Sequence, residues 1–370
     1  MKQIIPRFFL RIIGCAAVIF AAALALHAQQ TPSPPKIDED GTVHVPSFLL
    51  PESSLLDDGT RAALKSIREQ KEDLFDEKKC PSESPDRVAM AEVRKCQAEA
   101  FYRTTYYKRL RDRYHVVMNP QEIGGIHTEV FTPQESIEPK NKNRVLINVH
   151  GGHFKIGSRT ISHMESIPIA SDGKFKVVSV DYRMAPEYAF PVASEDVAAV
   201  YRELLKTYKP RNIGVYGCSA GGLLTAESVA WFQKQGLPMP GAVAMTGAAA
   251  SYYQEGDSAI IASVRDGFPL EPPREHPYFK NTNADNPLAF PIYSPETMAK
   301  FPPSLLLTTT RDLALSSVAY THSQLVKLGV DAELHVWEGL AHCFYFGHDV
   351  KQADDAHDVI VRFFDHHLGK

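Results

Sequence analysis

Residues 214–224, GVYGCSAGGLL, place one hydroxyl, that of Ser219, among small residues where an apolar run gives way to helical spacing. NIGVYG reads as a strand and AGGLLTAESVAWF as a helix, so Gly217, Cys218, Ser219, Ala220 and Gly221 form the turn between them. Gly-x-Ser-x-Gly at a strand-to-helix junction is the pattern of a nucleophile elbow. Gly217 and Gly221 remove side chains that would collide in so sharp a turn, which leaves the serine strained and exposed. The following helix directs its N-terminal dipole and free amides at any negative charge formed on attack. The competing reading is an incidental serine in a glycine-rich turn, and the residues elsewhere decide between the two.

A serine is a poor nucleophile without a base to take its proton, and an oxyanion needs donors placed where the charge develops. Upstream, RVLINVHGGHFKIGS sets His150, Gly151, Gly152 and His153 directly after an apolar strand, where glycines let main-chain N–H groups approach a ligand. With the amide of Ala220 this loop predicts an oxyanion hole drawn from Gly151, Gly152 and His153, the last two being the favoured pair. Downstream, FPPSLLLTTTRDLALSSV puts Asp312 just past one apolar strand, and AELHVWEGLAHCFYF puts His342 in a loop past the next. Asp312 would also suit a helix N-cap, and His342 could be one ordinary loop histidine among 15. Elbow, glycine loop, acid and histidine, in that order and each at the end of a strand, favour catalysis over coincidence.

Around these residues short β-branched runs alternate with helical ones: YHVVM, GGIHTEVFTP, RVLINVH, FKVVSVD, NIGVYG, GAVAMTG, SLLLTTT and AELHVW. Near-continuous apolar strands between helices predict a mostly parallel sheet covered on both faces, with the first pair as a hairpin-like edge. Residues 250–300 break the rhythm with proline, aromatic and polar residues over a span too long for an ordinary connection. Residues 56–113 carry two helical patterns separated by CPSESP. At the N-terminus Lys2, Arg7 and Arg11 precede IIGCAAVIFAAALAL and then HAQQTPSPP, the layout of a secretory signal cleaved after Ala28. The expectation is an exported chain, periplasmic or secreted, with no stable membrane span after cleavage.

The net charge of −4 and the scattered basic residues exclude a nucleic-acid partner. No CxxC occurs, and the histidines lack metal-ligand spacing, so neither a metal nor an organic cofactor is expected. In an oxidising compartment Cys80 and Cys96 are candidates for a bridge, although the cysteines left after removal of Cys15 allow three pairings. Oligomeric state is not specified, which leaves a homodimer open.

The motifs resemble those of the hormone-sensitive-lipase-like family of α/β-hydrolases, bacterial carboxylesterases that are also similar to arylacetamide deacetylases. HGGHF, VSVDYRMAPEYAFP, GCSAGG, PPSLLLTTTRD and AHCF carry the resemblance, over residues 115–370. It implies an α/β-hydrolase fold: a mostly parallel eight-stranded sheet, helices on both faces, and a helical cap. The cap would come from the linker and helical segment 29–114 and from the insert 250–300 after the sixth strand. The resemblance also implies a Ser219–His342–Asp312 triad, and a structural pair of Asp181 with Arg183 bracing the glycine loop behind His150. The aromatic residues Tyr252, Tyr253, Phe268, Tyr278, Phe279, Phe290 and Tyr293 would divide between the cap core and the pocket wall.

Three positions depart from the family pattern. His153 stands where a third glycine is usual, Cys218 where an acid usually precedes the nucleophile, and Cys343 where a glycine usually follows the base. Cys218 and Cys343 read as two buried thiols, a disulfide being the alternative. The implied chemistry is hydrolysis of a small-molecule ester with a short to medium acyl or aryl group. Lactone or amide cleavage, or deacetylation, would use the same triad, whereas loss of any one member would have favoured a non-catalytic binding module.

Overall fold

The computed structural model describes residues 34–70, 74, 80, 87–266, 270–347 and 350–370; the expected signal at 1–28 lies outside them. The chain divides into units at 1–52 and 53–370. In the first, Lys36–Ile37 pairs antiparallel with Val43–His44. The second contains everything that follows.

Its sheet is built from β1 (Val116–Ile123), β2 (Ile126–Pro133), β3 (Val145–Asn148), β4 (Lys176–Val180), β5 (Ile213–Cys218), β6 (Ala242–Thr246), β7 (Ser304–Thr309) and β8 (Ala332–Trp337). The spatial order is β8-β7-β6-β5-β3-β4-β2-β1. β3 to β8 are parallel, and β1 and β2 run antiparallel at one edge. β3, β5, β6 and β7 are buried at every position, as strands covered on both faces must be. Edge strand β1 is largely exposed and carries Pro120, which costs an edge little.

Alternating residues of the central strands feed two cores. Ile147, Val178, Val215 and Met245 pack with α5 (Val192–Leu204) and α6 (Ala220–Lys234) on one face. Leu146, Val177, Tyr216 and Ala244 pack on the other with α4 (Ile161–Gly173) and the C-terminal helix α9 (Lys351–His367). Between these helices lie α7 (Asp257–Asp266) and α8 (Leu315–Lys327).

The N-terminal segment contributes α1 (Asp58–Gln70), α2 (Arg87–Phe101) and α3 (Thr105–Arg113). The second helical run of the sequence is therefore two helices. Thr104 ends the first and caps the second, its Oγ1 accepting from Tyr107 N at 3.0 Å. Arg94 of α2 anchors this segment: its guanidinium donates to the carbonyls of Lys155 and Ala185 and to both oxygens of Glu187, at 2.7–2.8 Å. A disulfide joins Cys80 to Cys96.

The insert packs through aromatic side chains. Tyr278 stacks on Phe154 with centroids 4.2 Å apart, and Phe279, Phe290 and Tyr252 are buried beside it. Tyr293 is half exposed, and Phe268 lies outside the described residues. Among the described residues no helix is long and apolar enough to cross a membrane.

Candidate active site

The chain runs from β3 to β4 on one side and then to β5 on the other, so the strand order reverses beside β3, and open α/β sheets bind ligands at such a point. Ser219 follows β5 there, while the loop His150–Phe154 follows β3. Ser219 has φ 58° and ψ −124°, a conformation that L-residues seldom adopt. A Cβ on Gly217 or Gly221 would lie 1.9 or 1.8 Å from the carbonyl oxygen of Val149, so main chain packs where side chains would otherwise stand.

Asp312 follows β7 and is 2 % exposed. Its Oδ1 accepts from His342 Nδ1 at 2.7 Å and from the Ala314 amide at 2.8 Å, and its Oδ2 accepts from Thr308 Oγ1 at 3.2 Å. Burial opposes its charge, but the His342 imidazole and these hydrogen bonds hold the carboxyl below its ordinary range. Burial pushes His342 down and the Asp312 charge pushes it up; the carboxylate wins, so the imidazole sits above its usual 6.5.

Ser219 and His342 face one cavity of about 600 Å³, walled by His153, Tyr253, Gln254, Leu270, Glu271, Glu275 and Leu313. His153, at φ 57°, has both ring nitrogens engaged, Nδ1 with Tyr253 Oη at 2.7 Å and Nε2 with Glu271 Oε2 at 2.9 Å. Among the described residues of the insert, Tyr253 is the aromatic that lines the cavity.

His153, Glu271 and His276 bring metal-ligating atoms within 4.8 Å of one another. The donors are already committed. His153 is used as above, and His276 Nδ1 accepts the Tyr278 amide at 3.2 Å, which leaves the proton on its buried Nε2. Burial, with the neighbouring His153 and Lys155 charges, lowers His276 to about 2.

Several side chains find partners that differ from those expected. Asp181 and Arg183 do not pair with each other. Asp181 takes Ser158 Oγ at 2.9 Å and Arg159 Nη2 at 2.7 Å, bracing the segment after the glycine loop. Arg183 forks onto Asp196 at 2.6–3.0 Å. Arg159 stands in the segment before α4 and Asp196 on α5, so two different elements supply the two partners. His150 is buried and stacked on Tyr182 at 4.4 Å, and burial lowers it to about 4. Gly151, expected among the oxyanion donors, has its amide bonded to Glu165 Oε1 at 2.9 Å and is withdrawn from that set.

Cys218 and Cys343, expected to be thiols, are joined by a disulfide. Their Cα atoms lie 6.5 Å apart, within disulfide reach, because β5 and the His342 loop converge.

Two residues escaped the sequence reading. Glu165, inside α4, is fully buried; it accepts from Gly151 N and from Asn148 Nδ2 (2.7 Å), and burial raises it to about 8, leaving it protonated at neutral pH. A lone acid within the apolar run ISHMESIPIAS was the available signal. Gly247, just past β6, has φ 57°, and a Cβ there would lie 2.8 Å from His342 Cε1.

A family model described as the alpha/beta hydrolase fold matches residues 146–346, and the chain belongs to that family. It is 26% identical over 233 residues to an acetyl-hydrolase of Streptomyces hygroscopicus, covering 61% of this chain and 77% of that protein. With the versiconal hemiacetal acetate esterase of Emericella nidulans it shares 30% identity over 115 residues, 31% of this chain and 39% of that enzyme. The crystal structure of an esterase, E25, superposes with TM-score 0.73 and 27% identity, over 88% of this chain and 98% of that one. An esterase of the bacterial hormone-sensitive lipase family superposes with TM-score 0.68 and 24% identity, over 85% and 99%, a likeness of fold. The resemblance read from the motifs is borne out for the alpha/beta hydrolase family and for the eight-stranded fold.

Proposed function

We propose that the protein is a serine carboxylesterase acting on esters of short to medium acyl or aryl type. The observation that carries this reading is the placement of Ser219 and His342, the latter bonded to buried Asp312, on one cavity at the strand C-termini. His342 takes the Ser219 proton as Oγ attacks the carbonyl carbon, and the carbonyl electron pair moves onto oxygen. The oxyanion is held by the amides of Ala220, Gly152 and His153. Ala220 opens α6, so its amide lacks an intrahelical acceptor, and the Gly151 amide is taken by Glu165. Collapse expels the alcohol, which leaves with the proton from His342, and water activated by the same imidazole releases the acid.

The names of the acetyl-hydrolase and acetate esterase relatives favour small acyl groups. So does His153, pinned between Tyr253 and Glu271 where a glycine would leave room. The N-terminal pattern and the two disulfides support export to an oxidising compartment.

The test is hydrolysis of p-nitrophenyl esters from acetate to palmitate by wild type and Ser219→Ala. Activity should peak at short chains, and kcat should fall by about 10⁶ in the variant. Equal activity in the variant, or none at any chain length in wild type, would remove the ester mechanism.

A further inference from the structure

Between the nucleophile and the base the chain has a covalent link that the triad chemistry does not use. Cys218 immediately precedes Ser219, Cys343 immediately follows His342, and the two are bonded across 125 residues of sequence. Both sulfurs are buried, at residues 0% and 9% exposed. Cys218 also lies at a junction of the machinery. Its carbonyl oxygen is where a Cβ on Gly151 would come within 2.8 Å, so the glycine loop rests on it, and its amide bonds the Glu165 carboxyl.

We propose that Cys218 and Cys343 are positioning residues: their disulfide is a clamp that sets the distance and angle between His342 and Ser219. The inference rests on the esterase reading above.

Hydrogen bonds hold the His342 loop further out. Thr309 Oγ1 donates to the Leu340 carbonyl at 2.6 Å, Tyr345 Oη meets Thr246 Oγ1 at 2.6 Å, and Tyr106 Oη donates to the Phe346 carbonyl at 2.7 Å. These tethers keep the loop folded, while the disulfide acts on the residue next to the base. Cys343 has φ 48° and ψ 37°, a left-handed conformation that turns the chain away directly after His342. Without the clamp His342 keeps Asp312 but loses its fixed approach to Ser219. Proton transfer in a preorganised site is sensitive to misplacement on the order of 1 Å.

The test compares wild type with Cys218→Ala/Cys343→Gly, glycine being chosen because it adopts the left-handed conformation without cost. Four quantities are measured well below each protein's melting temperature: kcat and KM on p-nitrophenyl acetate, the pH profile of kcat/KM, and the rate at which a fluorophosphonate labels Ser219. The clamp predicts that kcat and labelling both fall, roughly tenfold to a hundredfold, with KM within about twofold. Cys80→Ser/Cys96→Ser, which lacks the distant disulfide, should keep the wild-type kcat and labelling rate. That variant also serves if the first fails to fold. In it a phosphine reduces Cys218–Cys343 alone, the phosphine taking oxygen from water as each sulfur gains a hydrogen, and activity should fall and return on reoxidation.

A clamp-less variant with a lowered melting temperature but wild-type kcat, pH profile and labelling would make the disulfide a staple for the fold and overturn the proposal. Loss of labelling without the clamp, in a protein that cleaves no ester, would overturn the esterase reading and uphold the clamp. A wild type whose Ser219 is not labelled would overturn both.

Discussion

At the elbow, main chain holds the nucleophile: Gly217 and Gly221 press against the Val149 carbonyl, and Ser219 N donates to Thr246 O at 2.8 Å. At the His342 loop, side chains hold the base: Asp312 from the end of β7, Thr309 from within it, Thr246 from β6, Tyr106 from α3 and Cys218 from β5. The first arrangement needs a local run of small residues. The second needs the whole domain assembled. A shape set by main chain packed on main chain tolerates no added atom, whereas one set by side-chain tethers can lose a tether and persist with a less accurate geometry.

The sharpest way to break that comparison is to add a methyl at the elbow. Gly221→Ala drives a Cβ into main chain that cannot move aside, so it should cost more than about 4 kcal/mol and yield little folded protein, measured as soluble expression and unfolding midpoint. Wild-type stability in this variant would mean that the elbow is more pliable than the packing implies. The corresponding insertion under the base is milder. Gly247→Ala places a methyl against the His342 ring at a left-handed residue, which should lower stability by about 1–2 kcal/mol and kcat by roughly tenfold to a hundredfold. A kcat unchanged at lowered stability would show that the ring has room to shift.

The smallest effect sharpens the electrostatic side. Because Asp312 raises His342 above 6.5, the acid limb of kcat/KM should fall at a pH above that value, with activity lost as the imidazole gains its proton. Asp312→Asn should remove the upward push. An acid limb that stayed in place would assign the titration to another group.

The same contrast explains what the sequence disclosed. Elbow, glycine loop, acid and histidine each follow an apolar strand, and each lies in a short run of residues that can be read along the chain. The mostly parallel sheet with its antiparallel edge pair followed from the alternation of runs. Partner choice did not. Asp181 reached Arg159 in the segment before α4, and Arg183 reached Asp196 on α5. Gly151 lost its amide to a helix of the opposite core, and the Cys218–Cys343 bond depended on a loop returning from β8. None of these pairings has a linear signature, since residues far apart in the chain meet only through packing on the completed sheet. The break between α2 and α3 did have one, Thr104, whose capping role was overlooked inside a long helical pattern.

Glu165 gives the protein a tension between speed and endurance. Folding raises this carboxyl from 4.5 to about 8, so over that interval the folded chain retains a proton that the unfolded chain releases. Its contribution to stability is therefore greatest below pH 4.5, declines as pH climbs toward 8, and is level beyond. His342 must shed its proton to work, so turnover gains over the upper part of the same range. Conditions that favour rapid hydrolysis are those in which this acid weakens the scaffold behind the serine, and shelf life and rate would be optimised at different acidities.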